Sequence, residues 1–428
     1  MSKFNKLRIL PALAAVVAFG SGKTVAPAAE AGAEEAVIAV RGGTLHTVTK
    51  GIVESGNIVI RNGKIEAVGK NIAIPKGAEV IDAGRAAVFP GFIDAFTNLG
   101  ADEVIYGGDF DEATSPVTPQ LWIIESINPE NEYIPAARRM GTTAVLAAPG
   151  VGNLISGQSA LLRLAGATVK DMTLRFPVAV HVNLGEAPKK RYGAKGQMPQ
   201  TRMGEAALLR QTFTETKEYL ASLERYEDKL ADFQAKGGAG DRPERPAVNL
   251  KYDALIPVLK GTLPAIVTAE RLDDILTALR IADEFGLRII LSGGADAWKV
   301  KERLAEKKIP VLLRPEEAAR LTVETQGAVF DNAAMLQKAG VKICFLTGST
   351  RNLTGLVEQA RLAVAYGLSQ EDALKALTIN PAEVFGAAAE LGSLEKGKAG
   401  DIVIFEGNPF LAPARVKTVI VGGRLIKD

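Results

Sequence analysis

The sequence predicts an α/β fold in which a (β/α)8 barrel of the TIM type is inserted into a small composite β-sandwich formed by both chain ends. Short β-branched segments separated by glycines fill residues 37–88 and recur at 401–405 and 416–426. The middle of the chain alternates apolar runs of strand length with helical stretches, the arrangement typical of a parallel sheet. Seven such runs favour a closed barrel over an open sheet.

The β-rich ends predict one domain that is discontinuous in sequence. Asn62-Gly63 is a hairpin turn signal between the runs at 56–60 and 65–68, and Gly422-Gly423 separates the last two strands. We therefore expect residues 36–89 and 392–428 to form the sandwich, with residues 90–391 forming the barrel.

The barrel strands are predicted where buried apolar runs precede or follow helices. Residues 273–285 are one such helix, because Ile275, Leu279 and Ala282 recur at helical spacing. The predicted strands are residues 91–95, 143–147, 178–182, 265–268, 289–291, 311–313 and 343–345.

Residues 187–249 interrupt this alternation with a long amphipathic helix. Its apolar face carries residues at spacings of 4, 7, 3, 7 and 3: Leu209, Phe213, Leu220, Leu223, Leu230 and Phe233. We interpret the insertion as a lid, as an oligomerisation element, or as a helix packed on its own domain.

The N-terminus has the pattern of a secretory signal peptide. Lys3, Lys6 and Arg8 precede an apolar run at 9–20, and Ala26-Pro27-Ala28 fits a cleavage site. The run is shorter than the roughly 18 residues that span a bilayer. The prediction is a cleaved segment at 1–28 and a periplasmic or secreted protein with no membrane span after cleavage.

Composition excludes several kinds of site. The chain has 428 residues, two histidines and one cysteine, so it cannot build a zinc site of three histidines or an intramolecular disulfide. Its net charge of only +2 does not indicate the excess of positive charge that is typical of nucleic-acid-binding proteins.

Three segments resemble the amidohydrolase superfamily. PGFIDAFTN at 90–98 resembles its P-G-hydrophobic-I-D-x-H-x-H signature, ALTINPA at 376–382 its A-x-T-x-N-P-A segment, and LGSLEKGKAGD at 391–401 its G-x-(I/L)-x-x-G-K-x-A-D segment. The similarity covers nearly the whole chain after the signal peptide and is greatest to the imidazolonepropionase-like and prolidase-like branch. It implies hydrolysis of C–N bonds at a dinuclear metal site.

The resemblance places unusual residues where this superfamily has metal ligands. The first two histidines fall on Phe96 and Asn98, and the bridging lysine of related branches falls on His181. His181 is the candidate catalytic base, because an imidazole titrates near neutral pH; a structural role is the alternative. Glu270 and Glu186 are its candidate partners.

The remaining ligand positions are also changed. The next H-x-H pair falls on Thr268 and Glu270, the histidine turn on Gly293, and the water-activating aspartate on Gly348. Phenylalanine and glycine side chains bring no donor to a metal, and threonine or asparagine bind divalent cations weakly. The sequence therefore predicts no metal and no cofactor, and it leaves these positions as a ligand-binding pocket.

These observations predict an amidohydrolase-like protein with impaired catalysis. It would bind a small-molecule ligand in the pocket, or form a homo-oligomer or a hetero-oligomer with an active paralogue. One alternative is a working hydrolase of amide, cyclic amide or dipeptide bonds that uses a non-standard site around His181 and Glu270. Another is a structural subunit whose arm at 204–236 builds the oligomer.

Overall fold

The computed structural model describes residues 37–103, 107–320, 322–349 and 355–427. The predicted signal peptide at 1–28 lies outside these residues. The strands are β1 (Val37–His46), β2 (Ile52–Val53), β3 (Asn57–Arg61), β4 (Lys64–Gly69), β5 (Glu79–Pro90), β6 (Phe92–Thr97), β7 (Asp102–Glu103), β8 (Gly107–Gly108), β9 (Thr142–Ala147), β10 (Ile155–Arg163), β11 (Thr173–Asn183), β12 (Ala265–Ala269), β13 (Ile289–Gly293), β14 (Val311–Leu313), β15 (Ile343–Phe345), β16 (Ile402–Glu406), β17 (Arg415–Val421) and β18 (Arg424–Leu425).

The α-helices lie mainly between and after the strands of the middle region. They are α1 (Tyr133–Arg139), α2 (Val169–Met172), α3 (Glu186–Gly193), α4 (Arg202–Ala235), α5 (Leu250–Leu259), α6 (Leu272–Phe285), α7 (Lys301–Glu306), α8 (Asn332–Lys338), α9 (Leu356–Ala365), α10 (Gln370–Leu377) and α11 (Ile379–Val384).

The middle of the chain forms a nearly closed eight-stranded barrel, which confirms the predicted fold class. The strand order is β15-β14-β13-β12-β11-β10-β9-β6. All seven predicted runs lie in its strands and point in one direction. At the seam between the two edge strands, the Gly348 N–H donates to the Phe96 carbonyl at 3.0 Å.

The eighth strand, β10, was not predicted, and it runs antiparallel to both of its neighbours. Ser156, Gln158 and Ser159 interrupt its apolar character, yet all three are buried. The Gln158 amide donates to the Pro119 carbonyl at 3.0 Å. Because hydrogen bonds from the surrounding chain satisfy these polar groups, the strand is buried without an apolar pattern.

Apolar side chains fill the barrel interior below its C-terminal rim. Ile266, Ile290, Leu312 and Cys344 come from four adjacent strands and belong to one buried cluster. Phe385, directly after α11, packs into the same cluster. The barrel interior is therefore a packed core.

The two chain ends join in a second eight-stranded sheet. Its order is β18-β17-β16-β5-β1-β3-β4, and β2 pairs with β1. Strand β5 pairs with β1 on one side and with β16 on the other, and it leads through Gly91 into the first barrel strand. The pairing of chain ends is as expected; the domain limits at 36–89, 392–428 and 90–391 stay a prediction.

The insertion forms the long helix α4, close to its predicted position. The Thr201 side chain caps its first turn by accepting from the Gly204 N–H. Leu209 and Phe213 are buried, and Phe213 packs on Phe285 of α6 with ring centroids 5.3 Å apart. Beyond Thr216 the helix has no fully buried residue, so only its first half is anchored in the core.

Among the described residues, no helix is both long enough and apolar enough to cross a membrane.

Candidate functional site

A cavity of about 210 Å³ lies at the C-terminal ends of the barrel strands. Barrel enzymes place their sites at this end. Five of the predicted pocket positions line it: Phe96, Thr268, Glu270, Gly293 and Gly348. The larger cavity of about 660 Å³ lies at the opposite ends of the strands, beside Pro264, Arg288 and Lys342.

Glu270 is one of two carboxyl groups in the cavity wall; the other, Glu317, pairs with Arg314. It follows β12, and its Oε2 accepts from the Ala295 N–H at 2.9 Å. Burial raises the pKa of Glu270 to about 7, although the nearby Arg314 acts in the opposite direction. The group therefore exchanges a proton near neutral pH.

Gly293 makes room for this carboxyl group. A Cβ atom at Gly293 would lie 2.3 Å from the Glu270 Oε1. The backbone φ of Gly293 is +87°, which also disfavours a side chain. The glycine that stands at a predicted ligand position thus shapes the glutamate site.

Arg314 is a cation that the sequence interpretation missed. It directly follows the apolar strand β14, and this position after a barrel strand is the signal that could have found it. Its Nη1 donates to the Thr347 carbonyl at 3.0 Å, and its guanidinium pairs with Glu317. Burial lowers the pKa of Arg314 from its ordinary value.

Asn332 at the start of α8 is a second missed residue. Its Nδ2 donates to the Gly294 carbonyl at 2.9 Å. Its Oδ1 has no hydrogen-bond partner within the described part of the chain, although only 7% of the residue is exposed and it lines the cavity. No sequence pattern identifies this asparagine as a cavity residue, because its position depends on how α8 packs in the tertiary structure.

Asp94 fastens the barrel seam behind the cavity. Its carboxylate accepts from the Thr347 hydroxyl at 2.5 Å, from the Thr347 N–H at 3.0 Å and from the Phe96 N–H at 3.2 Å. Burial raises the pKa of Asp94 to about 6 despite these donors. Asp94 therefore connects the first barrel strand to the segment after the last one.

His181 lies in β11 but does not line the cavity. It is fully buried, and its ring meets Phe96 edge-on with centroids 5.3 Å apart. Neither ring nitrogen has a hydrogen-bond partner among the residues described. Burial lowers the pKa of His181 to about 3, so the imidazole is neutral at physiological pH.

Asn98 and Glu186 are also outside the cavity. The Asn98 amide donates to the Ala148 carbonyl at 2.9 Å and so fixes the loop after β6. Glu186 pairs with Lys189 and with Arg202 of α4. Glu270 thus lines the cavity together with four predicted positions: Phe96, Thr268, Gly293 and Gly348. The cavity lining does not include His181, Asn98 or Glu186.

His46 and Cys344 lie outside the cavity, each packed within a sheet. His46 stacks on Phe89 in the chain-end sheet, with centroids 4.3 Å apart. Cys344 is enclosed in β15, where burial raises the pKa of its thiol.

A solved structure with a related sequence decides the family. An amidohydrolase from Thermotoga maritima MSB8 superposes on 91% of this chain and 99% of its own, with 35% identity and a TM-score of 0.83. The chain belongs to the amidohydrolase family. The family model described as "Amidohydrolase family" matches residues 267–426, which include the strands and loops around Glu270 and Arg314.

Other relatives within the amidohydrolase family are more distant. The amidohydrolase tasK of Hapsidospora irregularis is 25% identical over 84% of this chain, which spans 39% of that longer protein. The imidazolonepropionase of Geobacillus kaustophilus is 26% identical, covering 88% of this chain and 91% of its own. The family relates the chain to hydrolases that act on C–N bonds.

The donors near the cavity do not fit the dinuclear metal site that the amidohydrolase resemblance implies. Across the described residues, no three histidine, cysteine, aspartate or glutamate side chains come together in an arrangement that could hold a metal ion. Glu270 faces the phenyl ring of Phe96 and the bare backbone of Gly293 and Gly348 in the cavity lining. Glu317, the second carboxylate in the lining, is paired with Arg314, so Glu270 and the Thr268 hydroxyl remain as a poor ligand set for a divalent cation.

Proposed function

We propose that this protein is a non-catalytic amidohydrolase homologue whose dinuclear site has been lost and whose cavity binds a small molecule. The observation that supports the proposal is that Phe96, Gly293 and Gly348, which fall on metal-ligand or base positions in the amidohydrolase resemblance, line the cavity at the C-terminal ends of the barrel strands. A metal-dependent hydrolase needs the cation to acidify its water, from a pKa of about 15.7 to roughly 7. It also needs a base, and the position of that base is Gly348.

The partner and the location are part of the same proposal. A non-catalytic homologue can act through a hetero-oligomer with an active relative, or as a homo-oligomer. The N-terminal pattern at 1–28 supports export to the periplasm or the medium.

The test is made with purified protein expressed from the full sequence. We expect no stoichiometric divalent metal by elemental analysis and no hydrolysis of N-acyl amino acids, cyclic amides or dipeptides. A stable complex with a histidine-bearing relative, measured by light scattering after co-expression, would support the partner role. Stoichiometric metal together with turnover would overturn the proposal.

One observation favours a second candidate, a hydrolase with a metal-free carboxylate site. Glu270 has a pKa of about 7 within a cavity, a property of general acids and bases. The partner suggested by sequence, His181, is neutral and enclosed outside the cavity lining. Turnover that is lost in both His181→Ala and Glu270→Gln would establish this candidate; loss only in Glu270→Gln would place the chemistry on the carboxylate alone.

A further inference from the structure

The cavity presents hydrogen-bond acceptors that lack donors. The orientation of the Asn332 amide is fixed, because its Nδ2 donates to the Gly294 carbonyl and a carbonyl can only accept. The Oδ1 is therefore an acceptor with no partner within the described residues, in a side chain that is more than nine-tenths buried. Leaving such an atom unpaired costs about 1–3 kcal/mol, so a donor is expected there when the cavity is filled.

Glu270 and Thr268 add to this acceptor surface. Only Oε2 of Glu270 accepts the Ala295 N–H, which leaves Oε1 beside Gly293. The Thr268 Oγ1 has no hydrogen-bond partner in the described part of the chain and lines the same cavity. A hydroxyl can donate or accept, so Thr268 fits either type of ligand group.

The one arginine in the cavity wall is already engaged. Its Nη1 donates to the Thr347 carbonyl and its Nη2 pairs with Glu317, whereas its Nε, 3.5 Å from the Glu316 carboxylate, has no hydrogen-bond partner among the described residues. Glu316 and Glu317 already balance the charge of Arg314, so an anionic ligand would compete with both carboxylates for the guanidinium.

The local charge also disfavours an anion. Four carboxyl groups, Asp94, Glu270, Glu316 and Glu317, lie near the guanidinium groups of Arg314 and Arg320. Asp296 and Glu324 also act on Glu270; Lys299 pairs with Asp296, and Arg202 pairs with Glu324. The carboxyl groups of this set thus outnumber the cations by six to four. An added cation would offset the excess negative charge in this low-dielectric space, whereas an added anion would increase it.

The size and walls of the cavity limit the ligand. Its volume of about 210 Å³ is below the range of roughly 300–1,000 Å³ that holds drug-sized molecules. Phe96, Leu313 and Leu346 form apolar walls. The space suits one ring or a short apolar chain that carries a single polar head.

We propose that the cavity binds a small organic cation, a primary ammonium group on an apolar body, whose N–H groups donate to Asn332 Oδ1 and to the Glu270 carboxylate. The apolar body packs on Phe96, Leu313 and Leu346. This inference rests on the proposed ligand-binding function and specifies the ligand class.

Three probes of similar shape and different charge test the proposal. Binding of benzylamine, benzamide and benzoate is measured by isothermal titration calorimetry at pH 8 on the full-length protein. We expect benzylamine to bind most tightly, benzamide more weakly and benzoate least. Benzylamine affinity should fall about tenfold to a hundredfold in Glu270→Gln, because a hydrogen bond to a charged group is lost.

Matched variants separate the site from general effects. Glu270→Gln keeps the acceptor for the Ala295 N–H and has the same shape as the glutamate. Thr268→Val removes the hydroxyl without changing the volume. The control is Glu302→Gln, because Glu302 has an exposed side chain on α7 and pairs only with Lys301. We expect the control to bind all three probes as the wild type does.

The pH dependence has a defined sign. Burial raises the pKa of Glu270 to about 7, so its carboxylate is mostly protonated at pH 5.5 and ionised at pH 8. Benzylamine affinity should therefore rise from pH 5.5 to pH 8 in the wild type and rise less in Glu270→Gln, where Asp94, with a pKa of about 6, is a nearby carboxyl group that still titrates in this range. A wild-type affinity for benzylamine that does not change between pH 5.5 and pH 8, or that falls, would overturn the proposal.

Two further results would overturn the ligand class. The first is tighter binding of benzoate than of benzylamine, with loss in Thr268→Val; the ligand-binding function would then stand with the opposite charge. The second is a divalent metal retained stoichiometrically by the wild type and lost in Glu270→Gln. If none of the probes binds at millimolar concentration, the small-cation proposal is wrong, while the absence of turnover remains a separate measurement.

Discussion

At the scale of single residues, burial determines which titratable groups can act at neutral pH. Glu270 and His181 are both enclosed at the C-terminal end of the barrel, yet burial moves their pKa values in opposite directions, to about 7 and about 3. In both cases the uncharged form is favoured. Glu270 therefore titrates near pH 7, whereas the His181 ring is neutral at physiological pH.

Glu270→Gln should change stability in a pH-dependent way. The native pKa of Glu270 is raised from 4.5 to about 7, so the native state binds more protons than the unfolded state between these values. Its contribution to stability is therefore present at low pH and is lost as pH rises through about 7. Relative to wild type, the variant should gain about 3 kcal/mol in unfolding free energy between pH 4 and pH 8.

Urea denaturation of both proteins at the two pH values measures this difference. A constant offset between wild type and variant would contradict the raised pKa.

Asp94→Asn should weaken the barrel seam. The NH2 group of asparagine cannot accept from the Thr347 hydroxyl, so that hydroxyl has to turn and accept instead, and the hydrogen bonds to a carboxylate become hydrogen bonds to a neutral amide. We expect a loss of about 2–4 kcal/mol in unfolding free energy. The exposed pair of Asp82 with Arg41 supplies the control, because Asp82→Asn should leave the unfolding free energy almost unchanged.

Gly293→Ala should disturb Glu270 directly. The new Cβ would lie 2.3 Å from Oε1, in addition to the strain of a φ of +87°. Gly286→Ala is the matched control, because Gly286 has a φ of +70° and no atom lies within 4 Å of its Cβ position. We expect a larger loss in melting temperature for Gly293→Ala, together with a displaced Glu270 pKa in NMR titration. Equal effects would show that the carboxyl group moves away freely.

At the scale of secondary-structure elements, helix α4 joins a buried half to a half that extends past the core. Arg202 in its first turn binds Asp274 of α6 at 2.8 Å and Glu324 at 2.9 Å. Buried Glu205 accepts the Gly185 N–H, and burial raises the pKa of Glu205 to about 8. Polar contacts thus fix the start of the helix, while Leu209 and Phe213 fix the following two turns.

Two phenylalanines on this helix should differ sharply. Phe213→Ala removes a buried ring that packs on Phe285 and should cost about 3–5 kcal/mol in unfolding free energy. Phe233→Ala, near the end of the helix, should cost less than about 1 kcal/mol, because Phe233 is only partly buried. Equal losses in chemical denaturation would mean that the distal half is as firmly packed as the proximal half.

At the scale of the whole molecule, both chain ends are needed to complete one sheet. Strand β5 lies between β1 and β16, so removal of the C-terminal strands exposes one side of its hydrogen-bonding groups. A chain truncated after Gly400 should therefore aggregate, as judged by sedimentation velocity and circular dichroism. A chain truncated after Gly423 loses only the edge strand β18 and should remain folded.

The predicted part of the fold depends on patterns that are local in sequence. Ile275, Leu279 and Ala282 specify the buried face of α6, and the glycine-punctuated ends specify strands that need partners. β10 has no such pattern, because Ser156, Gln158 and Ser159 are satisfied by groups from other parts of the chain. The cavity positions Phe96, Thr268, Glu270, Gly293 and Gly348 were found because the amidohydrolase resemblance assigns ligand positions to the ends of the barrel strands.

The sequence by itself determined the family resemblance, the seven codirectional strands, the joining of the chain ends and the absence of histidines from the expected positions. Only the tertiary structure decided that His181 is enclosed and neutral and that Arg314 is occupied by carboxylates. It also decided that Asn332 presents an unpaired acceptor to the cavity. The physical reason is that burial, pKa and hydrogen-bond satisfaction depend on neighbours that are distant in sequence. The apolar pattern of a strand predicts which of its faces is buried, but it does not predict which atoms of other segments will contact that face.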